Sequence, residues 1–128
     1  MSTVDLERPA VLRARDLLTG DLGTVPDTAT VADARAMMRH LEVRHVPVLG
    51  ASGLVGMLHE AALPDSDGPV LDHVVRDVPR VRPNDGLVHL AALLTSSACG
   101  AVAVVDEAQH LLGVITHQDL DDALLRSA

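Results

Sequence analysis

A chain of 128 residues, 48% of them hydrophobic, can bury a core as one domain or as two closely packed halves that would each be marginal alone. It contains no Phe, Tyr or Trp, so the core must be built from Val, Leu, Ala, Ile and Met, and a flat ligand must be held between aliphatic side chains. The formal charge of −8, with arginine as the only basic side chain counted and no basic stripe, excludes nucleic acid and anionic membrane surfaces as expected partners.

Residues 1–12 read as a peripheral arm, and 13–18 as a short helix broken by Gly20 and Gly23. Thr24-Val25-Pro26 is expected to be extended, because a residue preceding proline avoids the helical region. Thr30 reads as an N-cap, and Val31, Ala34, Met37, Met38 and Leu41 then recur at helical spacing. The methionine pair is read as core filler. Residues 43–49, V-R-H-V-P-V-L, read as a strand with its proline near an edge. Gly50 to Gly53 turns the chain into a second strand over 54–58, which makes a hairpin. A short helix over 60–63 stops at Pro64, and P-D-S-D-G-P over 64–69 is the linker.

The pattern then restarts. Residues 70–75 mirror the first short helix, 80–82 are extended, and Pro83-Asn84-Asp85-Gly86 turns into a helix over 87–97. Strands are expected over 101–105 and 111–115, with a turn over 106–109 between them. Thr116 opens a last helix towards Leu125, with Asp119 as an acid in its first turn. A shift of 56 pairs Asp16 with Asp72, Val25 with Val81, Val46 with Val102 and Val48 with Val104. One extra residue in the second hairpin turn makes the shift 57, which pairs Leu54 with Leu111, Gly56 with Gly113 and Leu63 with Leu120. Identity between the halves is low but the apolar pattern is continuous, which is the mark of a duplication.

The segments V-P-D-T-A-T-V-A-D-A (25–34), V-R-H-V-P-V-L (43–49), L-V-G-M-L (54–58) and L-L-G-V-I-T-H-Q-D-L (111–120) resemble the CBS-domain family (cystathionine β-synthase domains). Their order and duplication resemble a tandem pair, or Bateman module. The resemblance implies an α+β fold of tandem β-α-β-β-α repeats, with two small sheets packed about a pseudo-twofold axis. The division is then an arm over 1–12, a first motif over 13–63, the linker over 64–69 and a second motif over 70–128. Such pairs usually dimerise, bind adenosine-containing ligands and regulate an attached or partner protein.

The resemblance also implies a composite ligand site. The second motif would supply Ile115, Thr116 and Asp119, with the acid holding ribose hydroxyls. The first would supply Thr24 and Val25 from its extended segment, and Val43, Arg44, His45, Val46 and Pro47 from its strand. Arg44 offers forked donors to an anion. The counterpart site is degraded: His59 and Ala62 stand where the threonine and acid would be, and Cys99-Gly100-Ala101 carries neither a cation nor a proline. One competent site per chain is expected.

Other classes fare worse. Cys99 is the only cysteine, so no intrachain disulfide forms. No run resembles a signal peptide or an 18-residue apolar span, so a cytoplasmic protein is expected. No H-x-x-x-H, C-x-x-C, P-loop or Rossmann fingerprint points to an enzyme. The expectation is a stand-alone regulatory module without a cofactor, taking AMP, ADP, ATP or S-adenosylmethionine as its regulatory ligand. It would act as a homodimer on an effector protein. The alternative is an assembly module with a vestigial site.

Overall fold

The computed structural model describes residues 12–18 and 22–126. The expected arm up to Val11 and the helix break at Gly20 lie outside these residues. The first repeat comprises β1 (Val25–Pro26), α1 (Val31–Leu41), β2 (His45–Gly50) and β3 (Gly53–His59), closed by a 3-10 turn at Glu60–Ala62. The second comprises β4 (Arg80–Val81), α2 (Leu87–Ser96), β5 (Ala101–Val105), β6 (Leu111–Thr116) and α3 (His117–Arg126). Each repeat forms its own three-stranded sheet, in the orders β1-β2-β3 and β4-β5-β6. In both, the first pair is parallel and the hairpin antiparallel. Both hairpins carry an irregularity at equivalent places, between Val48 and Leu49 and between Val104 and Val105.

Local chemistry accounts for the helices. Thr30 caps α1 by accepting from the Asp33 N–H, while the Asp33 carboxylate accepts from the Thr30 N–H. Glu42 ends α1 in the left-handed region at φ 57°. The linker is bound to this helix. Asp67 Oδ1 accepts from the Ala32 N–H at 2.9 Å, Gly68 O accepts from the Val31 N–H at 2.7 Å, and Arg35 donates to Pro64 O. The Ala32 N–H, and after it the Gly68 N–H, which donates to the same Oδ1 at 2.8 Å, hold the Asp67 carboxyl below the usual carboxylate range.

Two departures from the expected layout concern β2 and the close of the first repeat. Pro47 lies in the central strand of its sheet and not near an edge. It is tolerated because Met57, opposite it, turns its N–H and C=O away from β2 to pair with Val75 at 2.9 Å each. The Pro47 nitrogen therefore faces the β1 side, where pairing begins only at Val48, and no ladder bond is lost. The first repeat ends in a three-residue turn, whereas the second ends in the ten-residue α3. Thr116 and Asp119 cap α3, but His59 and Ala62 occupy the corresponding positions, the His59 side chain makes no cap bond, and Pro64 follows closely.

The leading segment of each repeat packs on the other repeat. The 3-10 turn Ala14–Leu17 buries Ala14 and Leu17 beside Val81, Leu90, Leu94 and Ile115. Ala14 and Arg15 donate backbone bonds to Asp85 O and Pro83 O. Likewise the turn Val70–Asp72 buries Val70 among Val25, Ala34, Met38 and Val46 of the first repeat. Gly56 and Gly113 make the crossing fit. A Cβ on Gly56 would stand 2.3 Å from Val75 O, and one on Gly113 2.5 Å from Leu18 Cδ2. The two sheets then meet through small side chains, with Ala101, Ala103 and Cys99 against Met57 and Val78.

Candidate functional site

A cleft of about 950 Å³ opens where the two repeats meet. The first repeat contributes Gly23, Val43, Arg44, His45, Pro47 and His59 to its wall. The second contributes Cys99, Gly100, Val114, Thr116 and Asp119. Of the residues expected to act together, Val43, Arg44, His45, Pro47, Thr116 and Asp119 thus share one cavity. Thr24 and Val25 line a separate, shallower hollow with Pro26, Asp33 and Met37. Val46 and Ile115 are fully buried in the core beneath the sheets. At the first of these segments it is Gly23, one residue earlier, that reaches the cleft.

Thr116 and Asp119 form a reciprocal cap. Asp119 Oδ2 accepts from the Thr116 N–H at 2.9 Å and from Thr116 Oγ1 at 3.1 Å, and the Asp119 N–H donates to Thr116 Oγ1 at 3.3 Å. The first-turn acid therefore holds its own helix, as Asp33 does in α1. Only Oδ2 is used in this way. Oδ1 has no hydrogen bond among the described residues, which leaves a half-buried carboxylate oxygen able to accept from a guest in the cleft. Arg44 is exposed and lies across the same cleft.

His45 and His59 are opposite each other in the β2–β3 register, and their rings stack with centroids 4.5 Å apart and planes 6° from parallel. His45 Nε2 donates to the Cys99 carbonyl oxygen at 2.7 Å, tying the two repeats together. A carbonyl can only accept, so this bond places the hydrogen on Nε2 and leaves Nδ1 as the basic atom. Burial holds the His45 pKa below its usual value. The Cys99 carbonyl pulls it up, His59 pushes it down, Asp119 raises it and Arg44 lowers it.

His59, Cys99 and Gly100 belong, by sequence, to the degraded counterpart site, yet they line this cleft. Gly100, at φ 77°, leaves space beside His45: a Cβ there would meet only His45 Nε2, at 3.9 Å. Ala62 is exposed on its 3-10 turn and outside the cleft wall, and Ala101 is buried between the sheets. Among the described residues no group of three or more His, Cys, Asp or Glu is placed to hold a metal ion. No described helix is long and apolar enough to cross a membrane.

Two copies of one β-α-β-β unit, with a cleft at their junction, define an α+β tandem-repeat module. The chain belongs to the CBS domain family, whose model matches residues 14–63 and 70–126. Similar solved structures include an acetoin utilization protein from Vibrio cholerae, described as putative (28% identity, TM-score 0.75, 91% of this chain and 92% of that one). They also include CBSX2 from Arabidopsis thaliana (21% identity, TM-score 0.77, 91% and 96%), which has been solved in complex with AMP. A third is the CBS domain pair of protein MJ0100 in complex with 5′-methylthioadenosine and S-adenosyl-L-methionine (17% identity, TM-score 0.80, 92% and 99%). Among curated proteins the chain is 26% identical to a homoserine O-acetyltransferase of Methanocorpusculum labreanum over 114 residues. That match covers 85% of this chain but only 23% of the enzyme.

Proposed function

We propose that the chain is a regulatory, non-catalytic module that senses an adenosine-containing ligand, such as AMP, ADP, ATP or S-adenosylmethionine, in the cleft between its repeats. The observation that carries this reading is the meeting, in one cavity, of a carboxylate with an uncommitted oxygen (Asp119) and a guanidinium from the opposite repeat (Arg44). Asp119 Oδ1 accepts from the ribose hydroxyls, Arg44 faces the anionic end, and Pro47, Val43 and Val114 supply aliphatic walls for the base. Complexes of two similar pairs with AMP or with S-adenosylmethionine and 5′-methylthioadenosine support the ligand class. Binding tightens the junction of the repeats, and an effector protein or a change of assembly reads that out. The acetyltransferase matches are read as matches to a regulatory region, since this chain spans less than a quarter of those enzymes.

A thermal-shift screen of adenine nucleotides, adenosine and S-adenosylmethionine tests the reading, using circular dichroism or a dye because there is no aromatic residue. At least one adenosine compound is expected to raise Tm, and no rise with any of them would contradict the reading. A second reading, an assembly module with a vestigial site, is favoured by one observation: Val88 on α2 and Leu125 on α3 are 88% and 75% exposed. Those faces suit a cytoplasmic homodimer, and light scattering that gives a monomer at tens of micromolar would exclude it.

A further inference from the structure

The walls of the cleft carry a charge problem for an anionic ligand. Among the described residues three carboxylates line it, Glu42 at the end of α1 and Asp119 and Asp122 on α3, against the single guanidinium of Arg44. With neutral imidazoles, a phosphate entering here meets more like charge than opposite charge. Three histidines share the lining: His45, His59 and His117. His117 is exposed and has no ring partner among the described residues. His45 and His59 are half-buried and stacked at 4.5 Å, so two positive charges on them repel each other and are repelled by Arg44. Cys99, packed against them, takes part through its carbonyl, and its thiol is buried beside Ser97.

We propose that His45 and His59 form a proton-linked anion subsite: the pair takes up a proton when an anionic group enters the cleft, and so favours phosphorylated over uncharged ligands as the pH falls. The inference rests on the adenosine-ligand reading above and adds a regulation to that site. An anion beside the pair offsets the burial and the Arg44 charge that disfavour a proton on His45, so binding and protonation favour each other by linkage. The proton enters the stacked pair at a nitrogen other than His45 Nε2, whose hydrogen is already committed to Cys99 O. The response to pH would then be a property of the ligand's charge and not of the nucleoside.

Calorimetric titration of the full chain with adenosine and with adenosine 5′-sulfate tests this, because the sulfate ester keeps its charge across the range where a phosphate would titrate. On lowering the pH from about 8 to about 6, the affinity for the sulfate ester is expected to rise roughly five- to tenfold, and that for adenosine less than about twofold. Repeating the titration in two buffers of different ionisation enthalpy should show net proton uptake with the sulfate ester only. His59→Asn should flatten the sulfate ester's pH response, and His117→Asn should leave it. If His59→Asn fails to fold, His117→Asn decides: proton uptake that survives this substitution lies with the stacked pair, and uptake that vanishes with it overturns the proposal. Equal pH profiles for the two ligands, or no net proton uptake, would overturn the proposal while leaving the adenosine site standing. Absence of binding by both compounds would overturn the site and the proposal together.

Discussion

Asp119 serves two purposes with its two oxygens, and the substitutions that separate them are informative. Asp119→Asn keeps an acceptor for the Thr116 N–H but removes the charge offered to the ribose. The protein is expected to remain folded while adenosine affinity drops by about one to two decades, since hydrogen bonds to charged groups contribute roughly 1.5–3 kcal/mol. Asp119→Ala would in addition remove the carboxylate half of the reciprocal cap, a small loss because Thr116 Oγ1 still accepts from the residue 119 N–H. Calorimetry with the Asn variant at wild-type affinity would refute the assignment. Arg44→Ala should instead discriminate by charge: AMP weakens by about 1–2 kcal/mol more than adenosine, and by less at high salt because the site is exposed. Equal losses for the two ligands would place the anion elsewhere. Asp119 and Arg44 are named by the motif and lie in the cleft. His59 was not found in this way, and the bulge explains it. Counting back from the Gly50–Gly53 pair puts His45 opposite Leu58, whereas the irregularity after Val48 brings His59 there.

At the scale of elements, apolar runs, apolar spacing and capping carried most of the information. Strands expected over 101–105 and helices opened by Thr30 and Thr116 fall where apolar spacing and side-chain caps put them. Pro47 was misplaced because the rule that sends proline to edges concerns the lost N–H, and here the short β1 leaves that direction unpaired. The two packing glycines give a test of how closely the elements approach. Gly56→Ala drives a Cβ into the Val75 backbone carbonyl, which cannot give way without moving the β3 edge. Gly113→Ala meets the end of the Leu18 side chain, which can rotate. Urea unfolding should show a loss of about 1–3 kcal/mol for Gly56→Ala and a clearly smaller one for Gly113→Ala. The reverse order would mean that the Val75 backbone and the Leu18 side chain had been assigned the wrong rigidity.

At the scale of the molecule, the crossed leading segments make the repeats interdependent: Leu17 is buried in the core of the second and Val70 in that of the first. The duplication was legible as a shift of 56 to 57 residues, but the crossing was not, because a repeat period does not say which copy a segment packs against. The crossing also sets the cleft at the seam, where a ligand from one side touches both repeats. The asymmetry of the seam follows from Ala62 and Gly100, which stand at the positions of Asp119 and Arg44 in the other repeat and carry no charge. Occupancy of the cleft is tested most directly by calorimetric titration of the wild-type chain and of Ala62→Asp with AMP. One AMP per chain is expected for both, because an acid restored at Ala62 still lacks the cation at Gly100. Two equivalent AMP molecules per wild-type chain, or a second site of similar strength created by Ala62→Asp, would contradict the composite site built from Arg44 and Asp119.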